Sequence, residues 1–337
     1  MGVNLTNTTV GEAGLITTSI RRKFIPRLKN KLRFDPYCAT GKLEYRGGAK
    51  TLRWNLASDI GAFTTALTED TTTYGVVPEG RITTITVTSV LQTLSDYGAW
   101  MPVSDLADSV YTNETREEYA DIFAYSGAKT KDTLIRNAAL ATTTYLAAQA
   151  TATASTTVFS TNTAIAQDLN YIRGAFDQAD CEPFDELGGN YLLVVHGKVE
   201  QDMVADVTTT RLSWSPLIWN VPDGVNKITS YKGPGALLGV AIMRSNNIDT
   251  VTLTTTSTPL ATGAAGLTVY RCVALADHGV GKTTMDQSEP RIIRKTPGSQ
   301  SVSVPLDTYG TIGWKMRLAQ GLLSSTRALT YYCVKGS

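Results

Sequence analysis

One long stretch with helical periodicity, in a chain that otherwise consists mostly of strand-like segments, constrains the fold most. Residues 112–146 contain no proline, and apolar or small residues recur there at steps of three and four positions. Good N-cap residues stand at 112–113, and residues 115–118 fit a capping box. Such a helix would measure about 45–50 Å, which is longer than the core of a small globule can use. The sequence therefore predicts a spine helix rather than an ordinary packing helix.

Two strand-like tracts before this helix flank a polar loop. They span residues 50–57 and 81–103, and the second alternates in steps of two over residues 82–89. The intervening residues 58–80 are rich in Thr, Gly and Asp, so they have little to bury. We therefore predict a long β-hairpin with a projecting tip near residues 58–80. A projecting hairpin has exposed strand edges unless another chain covers them.

The rest of the chain adds short helices and many strands. We predict helices near residues 165–179 and 199–207, and strands at residues 191–196, 237–244, 250–256, 267–276, 291–295, 311–318 and 328–334. The order of these elements shows no regular βαβ alternation. The predicted fold class is therefore α+β.

Charge is divided unevenly along the chain. Residues 21–33 include seven basic residues and no acidic residue, whereas the formal net charge of the whole chain is +1, which leaves −6 for the remainder. The seven are Arg21, Arg22, Lys23, Arg27, Lys29, Lys31 and Arg33. Two interpretations stay open for this arm. It is either an amphipathic segment with a solvated basic face, or a segment that contacts an acidic neighbour or nucleic acid in a salt-sensitive way.

Few residues in the chain are suited to catalysis or metal binding. There are two histidines, and the four cysteines are widely separated without a Cys-x-x-Cys pair, so we expect buried, reduced thiols. His196 ends an apolar strand and is interpreted as a core or edge residue. No apolar run approaches the roughly 18 residues of a membrane-spanning helix. The sequence predicts no catalytic, cofactor or metal site, and no membrane partner.

One segment deserves comparison with a nucleotide-binding motif. Residues 276–283 follow a strand and end in Gly-Lys-Thr, as a phosphate-binding P-loop does. The first position is Ala276 instead of glycine, and no amphipathic helix follows before Pro290. We interpret the segment as a Gly-rich surface turn, with a P-loop enzyme as the remote alternative.

Several short runs, in order along the chain, resemble the major capsid proteins of tailed bacteriophages. They are Leu-Arg-Phe-Asp-Pro-Tyr at 32–37, Gly-Gly-Ala-Lys-Thr-Leu-Arg-Trp at 47–54, Ala-Leu-Thr-Glu-Asp at 66–70, Ser-Asp-Tyr-Gly-Ala-Trp-Met-Pro-Val-Ser-Asp-Leu at 95–106, Gly-Ala-Leu-Leu-Gly-Val at 235–240 and Tyr-Gly-Thr-Ile-Gly-Trp-Lys at 309–315. The resemblance implies the Hong Kong 97-type capsid fold. It further implies a structural, non-enzymatic protein of the virion, whose hexamers and pentamers form an icosahedral shell around double-stranded DNA.

The resemblance also implies a division of the chain. Residues 1–45 would be the N-terminal arm, 46–104 the E-loop hairpin with adjoining peripheral-domain strands, 105–159 the spine helix of the peripheral domain, 160–285 the axial domain, and 286–337 strands that return to the peripheral domain. The E-loop would lie over a neighbouring subunit, with Thr64, Thr65, Leu67, Glu69 and Tyr74 as predicted contacts. The seven basic residues of the arm are the predicted arm contacts.

Two departures from the family pattern lead to further expectations. Residues 56–80 contain no lysine, so we predict a non-covalent shell without the Lys–Asn isopeptide bonds of some relatives. The spine begins near residue 112, which leaves no room for the N-terminal scaffolding segment of other relatives, so a separate scaffolding protein is expected. The resemblance further implies a portal, an optional decoration protein, non-specific contact with packaged DNA, and assembly in the host bacterial cytoplasm. An encapsulin-like compartment of the same fold, enclosing enzymes instead of a genome, is the alternative.

Overall fold

Strands outnumber helices along the chain, as the sequence predicts. The computed structural model describes residues 33–43, 49–57, 85–104, 113–149, 157–158, 162–205, 235–254, 261–262, 266–285, 290–295 and 309–334. After a 3-10 turn at Asp35–Tyr37, the elements are β1 (Ala39–Leu43), β2 (Thr51–Ala57), β3 (Val87–Thr93), β4 (Ser95–Ser104), α1 (Asn113–Ala139), β5 (Tyr145–Ala147), β6 (Thr157–Val158), α2 (Asp168–Gln178), β7 (Tyr191–Val195), α3 (Gly197–Ala205), β8 (Gly235–Leu237), β9 (Val240–Arg244), β10 (Asp249–Leu253), β11 (Ala261–Thr262), β12 (Leu267–Leu275), β13 (Val280–Met285), β14 (Arg291–Lys295), β15 (Tyr309–Leu322) and β16 (Ala328–Val334).

The first of two large sheets is built on the 14-residue strand β15. Strands β4, β13 and β14 each pair antiparallel with β15, and β1 pairs parallel with β13. Alternation along β15 places Ile312, Trp314, Met316 and Leu318 on one buried face. Helix α1 packs on this face, where a Cβ at Gly127 would lie 3.3 Å from the Trp314 ring. The small residue therefore allows the spine helix to approach the sheet closely.

The second large sheet has the order β5-β16-β12-β7-β9-β8, and β10 also pairs with β12. Strands β7 and β16 are buried at every position, because their sequences are continuous apolar runs that can be covered on both faces. Side chains of α1, α2 and α3 join these strands in one core, with Ile135, Leu169, Phe176 and Met203 among the buried contributors. A separate two-stranded hairpin, β2–β3, extends from the first sheet.

The spine helix ends earlier than predicted. It covers 27 residues, about 40 Å, and stops at Ala139, whereas the periodicity suggested residue 146. The reason lies in the threonines that follow. The Thr142 hydroxyl donates to the Ala328 carbonyl at 2.8 Å, and the Thr144 hydroxyl donates to the Ser325 carbonyl at 3.0 Å. β-branched residues with such tertiary partners favour the turn and strand β5 over another helical turn.

Other corrections concern strand boundaries. The predicted strand at 237–244 is instead the β8–β9 hairpin, because Leu238 and Gly239 adopt φ values of 55° and 80° in a two-residue turn. The predicted strand at 81–103 is divided into β3 and β4 at the buried Leu94. Strands β1 and β13 were not predicted. The prediction for 291–295 matches β14, and the prediction for 328–334 matches β16.

The strand pairing differs from the predicted division of the chain at two points. Strand β13 falls within the predicted axial range, yet it pairs with β15 in the first sheet. Strand β16 falls within the range predicted to return to the peripheral domain, yet it lies inside the second sheet between β5 and β12. The chain therefore crosses between sheets within residues 323–327. The names and limits of the domains stay predictions.

The buried thiols and phenols lead to a prediction about alkaline stability. All four cysteines are buried and none of them forms a disulfide, as expected. Burial raises the pKa of Cys38 to about 12, and burial also raises the pKa of Cys333 and Tyr331 well above their ordinary values. In the unfolded chain, these groups ionise near pH 8.5 for Cys and about 10 for Tyr. Their stabilising contribution is therefore complete below about pH 8.5 and is lost as the pH rises further.

We expect the free energy of unfolding to be flat near neutral pH and to fall steeply above about pH 9, by up to roughly 1.4 kcal/mol per pH unit for each group. The urea midpoint should fall with it. Urea titrations monitored by circular dichroism between pH 7 and 11 measure this. Cys38→Ala should make the loss of unfolding free energy per pH unit smaller, by the contribution of one thiol. An unchanged midpoint up to pH 11 would contradict the prediction.

Candidate functional site

The β2–β3 hairpin has two different faces. Its register runs from Thr51 opposite Thr93 to Ala57 opposite Val87, and directly opposed residues share a face. On one face, the half-buried Leu52 and Trp54 lie against β1, where Gly41 leaves room for them: a Cβ at Gly41 would lie 2.8 Å from the Trp54 ring. The other face points away from the body.

That outward face mixes apolar and polar side chains, since Arg53, Asn55 and Ser89 share it with Val87 and Leu91. It includes Val87 and Leu91, which are 55% and 64% exposed, and Ile85 just before β3 is 56% exposed. A two-stranded hairpin is marginally stable by itself, and exposed apolar side chains on one of its faces mark it as an interaction surface. The described part of the hairpin therefore has the character of a surface that another chain covers.

A buried glutamine fixes the base of the hairpin. Gln92 is 3% exposed, and its Nε2 donates to the carbonyls of Gly281 at 3.0 Å and Gly321 at 3.4 Å. Its Oε1 accepts a hydrogen bond from the Thr283 hydroxyl at 2.7 Å. A Cβ at Gly281 or Gly321 would come within 3.0 or 3.1 Å of Nε2, so both glycines make room for the amide. One side chain thus joins β3 to β13 and β15.

A buried carboxylate fixes the point where the N-terminal region joins the body. Phe34 is fully buried, and its backbone N–H donates to Asp132 Oδ1 of α1 at 2.8 Å. The Asn247 amide donates to Asp132 Oδ2 at 2.8 Å. Burial raises the pKa of the Asp132 carboxyl, although these donors act in the opposite direction. Lys131 and Lys282 both pair with Asp35, at 3.1 and 3.0 Å.

Most residues predicted from the sequence to make contacts between subunits cannot be placed. Arg33 is half-buried at the arm root, the point where the N-terminal region joins the body. The other six basic residues of the arm lie outside the described residues. The predicted hairpin contacts Thr64, Thr65, Leu67, Glu69 and Tyr74 also lie outside the described residues.

Residues 276–283 are neither the Gly-rich surface turn that we predicted, beyond residue 279, nor the P-loop of the remote alternative. Only residues 277–279 form a turn, and Gly281, Lys282 and Thr283 belong to strand β13 rather than to a helix N-terminus. Lys282 donates to the Asp35 carbonyl at 2.8 Å, and Thr283 is held by Gln92. The segment therefore connects strands, and its polar groups are used within the fold.

The remaining candidate groups have structural surroundings. The half-buried His196 stacks on Tyr270 with ring centroids 4.8 Å apart, and its Nδ1 accepts the backbone N–H of Lys198 at 3.2 Å. Within the described residues there is no cluster of three or more potential metal ligands. None of the helices found there has the length and apolar character needed to cross a lipid bilayer.

Sequence reasoning missed the two anchoring residues, Gln92 and Asp132. Both break an apolar pattern on an inward face. Gln92 stands two positions before the buried Leu94 on an alternating strand, and Asp132 stands three positions before the buried Ile135 on α1. A polar residue in phase with buried neighbours was the available signal, because a buried polar group needs hydrogen-bond partners.

Comparison with known proteins identifies the fold. No protein-family model and no curated protein matches the sequence. Among solved structures, the capsid of Ralstonia phage GP4 superposes with a TM-score of 0.63 at 8% identity, covering 95% of this chain and 96% of that chain. The capsid of Cyanophage Pam1 gives 0.60 at 12% identity over 99% and 100%, and that of Cyanophage P-SCSP1u gives 0.59 at 13% over 98% and 97%. These similarities confirm the predicted fold, which is that of phage capsid proteins.

Proposed function

We propose that this chain, which has the phage capsid fold, is the major capsid protein of a tailed bacteriophage. Its copies form hexamers and pentamers, and these form an icosahedral shell that encloses double-stranded DNA. The observation that carries the proposal is the extent of the structural similarity, which covers 95% or more of both chains for the three capsid structures compared. The role is structural, and we assign no catalysis to it.

The geometry of the hairpin supports this role. Its outward face exposes Ile85, Val87 and Leu91, and its base is fixed to the first sheet through Gln92. A fixed base sets the direction of the hairpin, and its exposed apolar side chains would be buried by contact with a neighbouring copy. Repeated contacts of this kind are individually modest, but their number makes a closed shell stable.

The finer assignments belong to the same proposal. The hairpin tip contacts the neighbouring subunit without a covalent cross-link, and the basic arm meets packaged DNA or an acidic neighbour. The named domains, a separate scaffolding protein, a portal, an optional decoration protein and assembly in the host cytoplasm complete it. The low net charge of +1 supports dense packing of identical copies, since it limits their mutual repulsion.

Imaging of the purified full-length protein tests the proposal. We expect negative-stain electron microscopy over a concentration series to show rings of five or six subunits or closed shells. Efficient closed-shell formation by this chain alone would overturn the separate scaffolding protein. Nucleic acid inside particles from the native host would support a virion, whereas enclosed enzymes would support the encapsulin-like alternative. Monomers at every concentration would contradict the assembly role.

A further inference from the structure

A chain of buried polar contacts connects the arm root to the second sheet. Phe34 in the arm root donates its backbone N–H to Asp132 Oδ1, and the Asn247 amide donates to Asp132 Oδ2, both at 2.8 Å. Asn247 belongs to residues 245–248, which connect β9 to β10. Asp132 itself lies on α1. One carboxylate group therefore holds both segments, one on each of its oxygens.

Burial makes the two contacts of Asp132 depend on each other. Asp132 is 1% exposed and Asn247 is 6% exposed, and Phe34 is fully buried, so the closed arrangement keeps water away from the carboxylate. Loss of either donor would leave part of a buried carboxylate without a partner or admit water to it. Water then competes with the remaining donor for the carboxylate oxygens. Each donor therefore strengthens the contact made by the other.

Further contacts tie Asn247 to the second sheet. Its backbone carbonyl accepts a hydrogen bond from Arg136 Nη1 at 3.1 Å, and its backbone N–H donates to Ser245 Oγ at 3.1 Å. Arg136 also pairs with Asp249 of β10 at 3.8 Å, and Asp249 pairs with Arg271 of β12. The position of Asn247 therefore depends on two strands of that sheet as well as on α1.

The arm root has a second attachment, which is of a different physical kind. Asp35 pairs with Lys131 and Lys282, but the Asp35 side chain is 35% exposed, so salt screens these ion pairs. The contact between Phe34 and Asp132 is buried and is screened much less. High salt therefore weakens one attachment selectively, which allows the contribution of Asp132 to be measured separately.

We propose that Asp132 couples the N-terminal arm to the second sheet. A contact that pulls the arm away from the body opens the arm root, and the loss of the Phe34 donor then loosens residues 245–248. Displacement of residues 245–248 in turn loosens the arm root, because coupling between two equilibria is reciprocal. The coupling goes beyond the proposed function, since it is a property of the single subunit and needs no assembly.

Amide hydrogen exchange resolved to single residues tests the coupling, because exchange of a bonded amide reports local opening. Asn247→Ala removes a side chain whose described hydrogen bonds do not reach the arm root, yet it should raise the exchange rate of the Phe34 amide by about fivefold or more. In an Asp132→Ala background, Asn247→Ala should have no additional effect, because Asn247 acts through Asp132. The reciprocal variant Phe34→Ala should raise exchange of the Asn247 amide. At about 1 M salt, where the Debye length is about 3 Å, the pattern should persist.

Asn162→Ala is the matched control for Asn247→Ala. It also removes a side-chain amide, whose Nδ2 donates to the Ala148 carbonyl at 2.6 Å, but it lies outside this chain of contacts and should leave Phe34 exchange unchanged. Circular dichroism verifies folding of each variant, and Asp132→Asn, which has nearly the same size, serves as the background if Asp132→Ala does not fold.

Three results would overturn the coupling. The first is equal Phe34 exchange in Asn247→Ala and the parent protein. The second is a double variant in which the effects of Asp132→Ala and Asn247→Ala multiply, since independent sites behave in that way. The third is an equal rise in Asn162→Ala, which would assign the effect to general loosening of the fold. None of these results bears on assembly, so the proposed function would stand.

Discussion

Deletion of residues 64–76 should leave a folded subunit that no longer forms closed shells. Residues 64–76 are mostly small or polar, and the deletion shortens the connection between β2 and β3. A shorter loop costs slightly less entropy to close. We therefore expect the melting temperature to change by no more than about 2–4 °C, which corresponds to roughly 1 kcal/mol for a chain of this size. Assembly should be lost, because the hairpin would lack the part that reaches the neighbour.

The measurement combines thermal unfolding with electron microscopy of concentrated protein. A matched variant replaces residues 64–76 by a Gly/Ser segment of the same length. This control separates loop length from side-chain chemistry: shells from the Gly/Ser variant but not from the deletion would show that reach is what matters. Normal shells from both variants would refute the assignment of this loop to subunit contact.

Replacement of Gln92 by leucine should weaken both the subunit and its assembly. Leucine has a similar size but cannot replace the three hydrogen bonds of the amide, so the buried Thr283 hydroxyl loses its acceptor. A buried polar group without a partner costs about 1–3 kcal/mol. The hairpin base would no longer be held to β13 and β15, so we expect a larger effect on shell yield than on unfolding.

Thr93→Ala is the matched control for Gln92→Leu. Thr93 is the adjacent residue, but it faces solvent and loses only an exposed hydrogen bond to Thr51 at 3.1 Å, for an expected change within about 0.5 kcal/mol. Gln92→Glu adds a pH signature. An ionised carboxylate can accept from Thr283 but cannot donate to the two carbonyls, whereas a protonated one can donate to one of them, so stability should recover in part on acidification. Equal urea midpoints and shell yields for Gln92→Leu and the parent would contradict the anchoring role.

Local patterns in the sequence identified most of the elements. The apolar run of β7 was correctly interpreted as a buried strand, and β2 and β16 were also predicted as strands. The helix start near residue 113 followed from N-cap chemistry. Its end at Ala139 did not, because the competing partners of Thr142 and Thr144 come from residues 325–328, far away in the sequence.

The anchoring residues depend on contacts between distant strands. Gln92 meets partners 189 and 229 positions away, so no local pattern could identify them. Strand β13 was missed because Gly281 and Lys282, which have low strand propensity, interrupt its favourable residues, and the segment is held as a strand by pairing with β1 and β15.

The sequence by itself determined the α+β class, the long helix α1, the β2–β3 hairpin, and the contrast between the basic residues 21–33 and the net acidic remainder of the chain. These properties follow from composition and from periods of two or 3.6 residues, which each segment carries independently of the others. Only the tertiary structure decided which strands share a sheet and which polar side chains anchor the hairpin and the arm root. These depend on contacts between residues far apart in the chain, and such contacts form only when the whole core assembles.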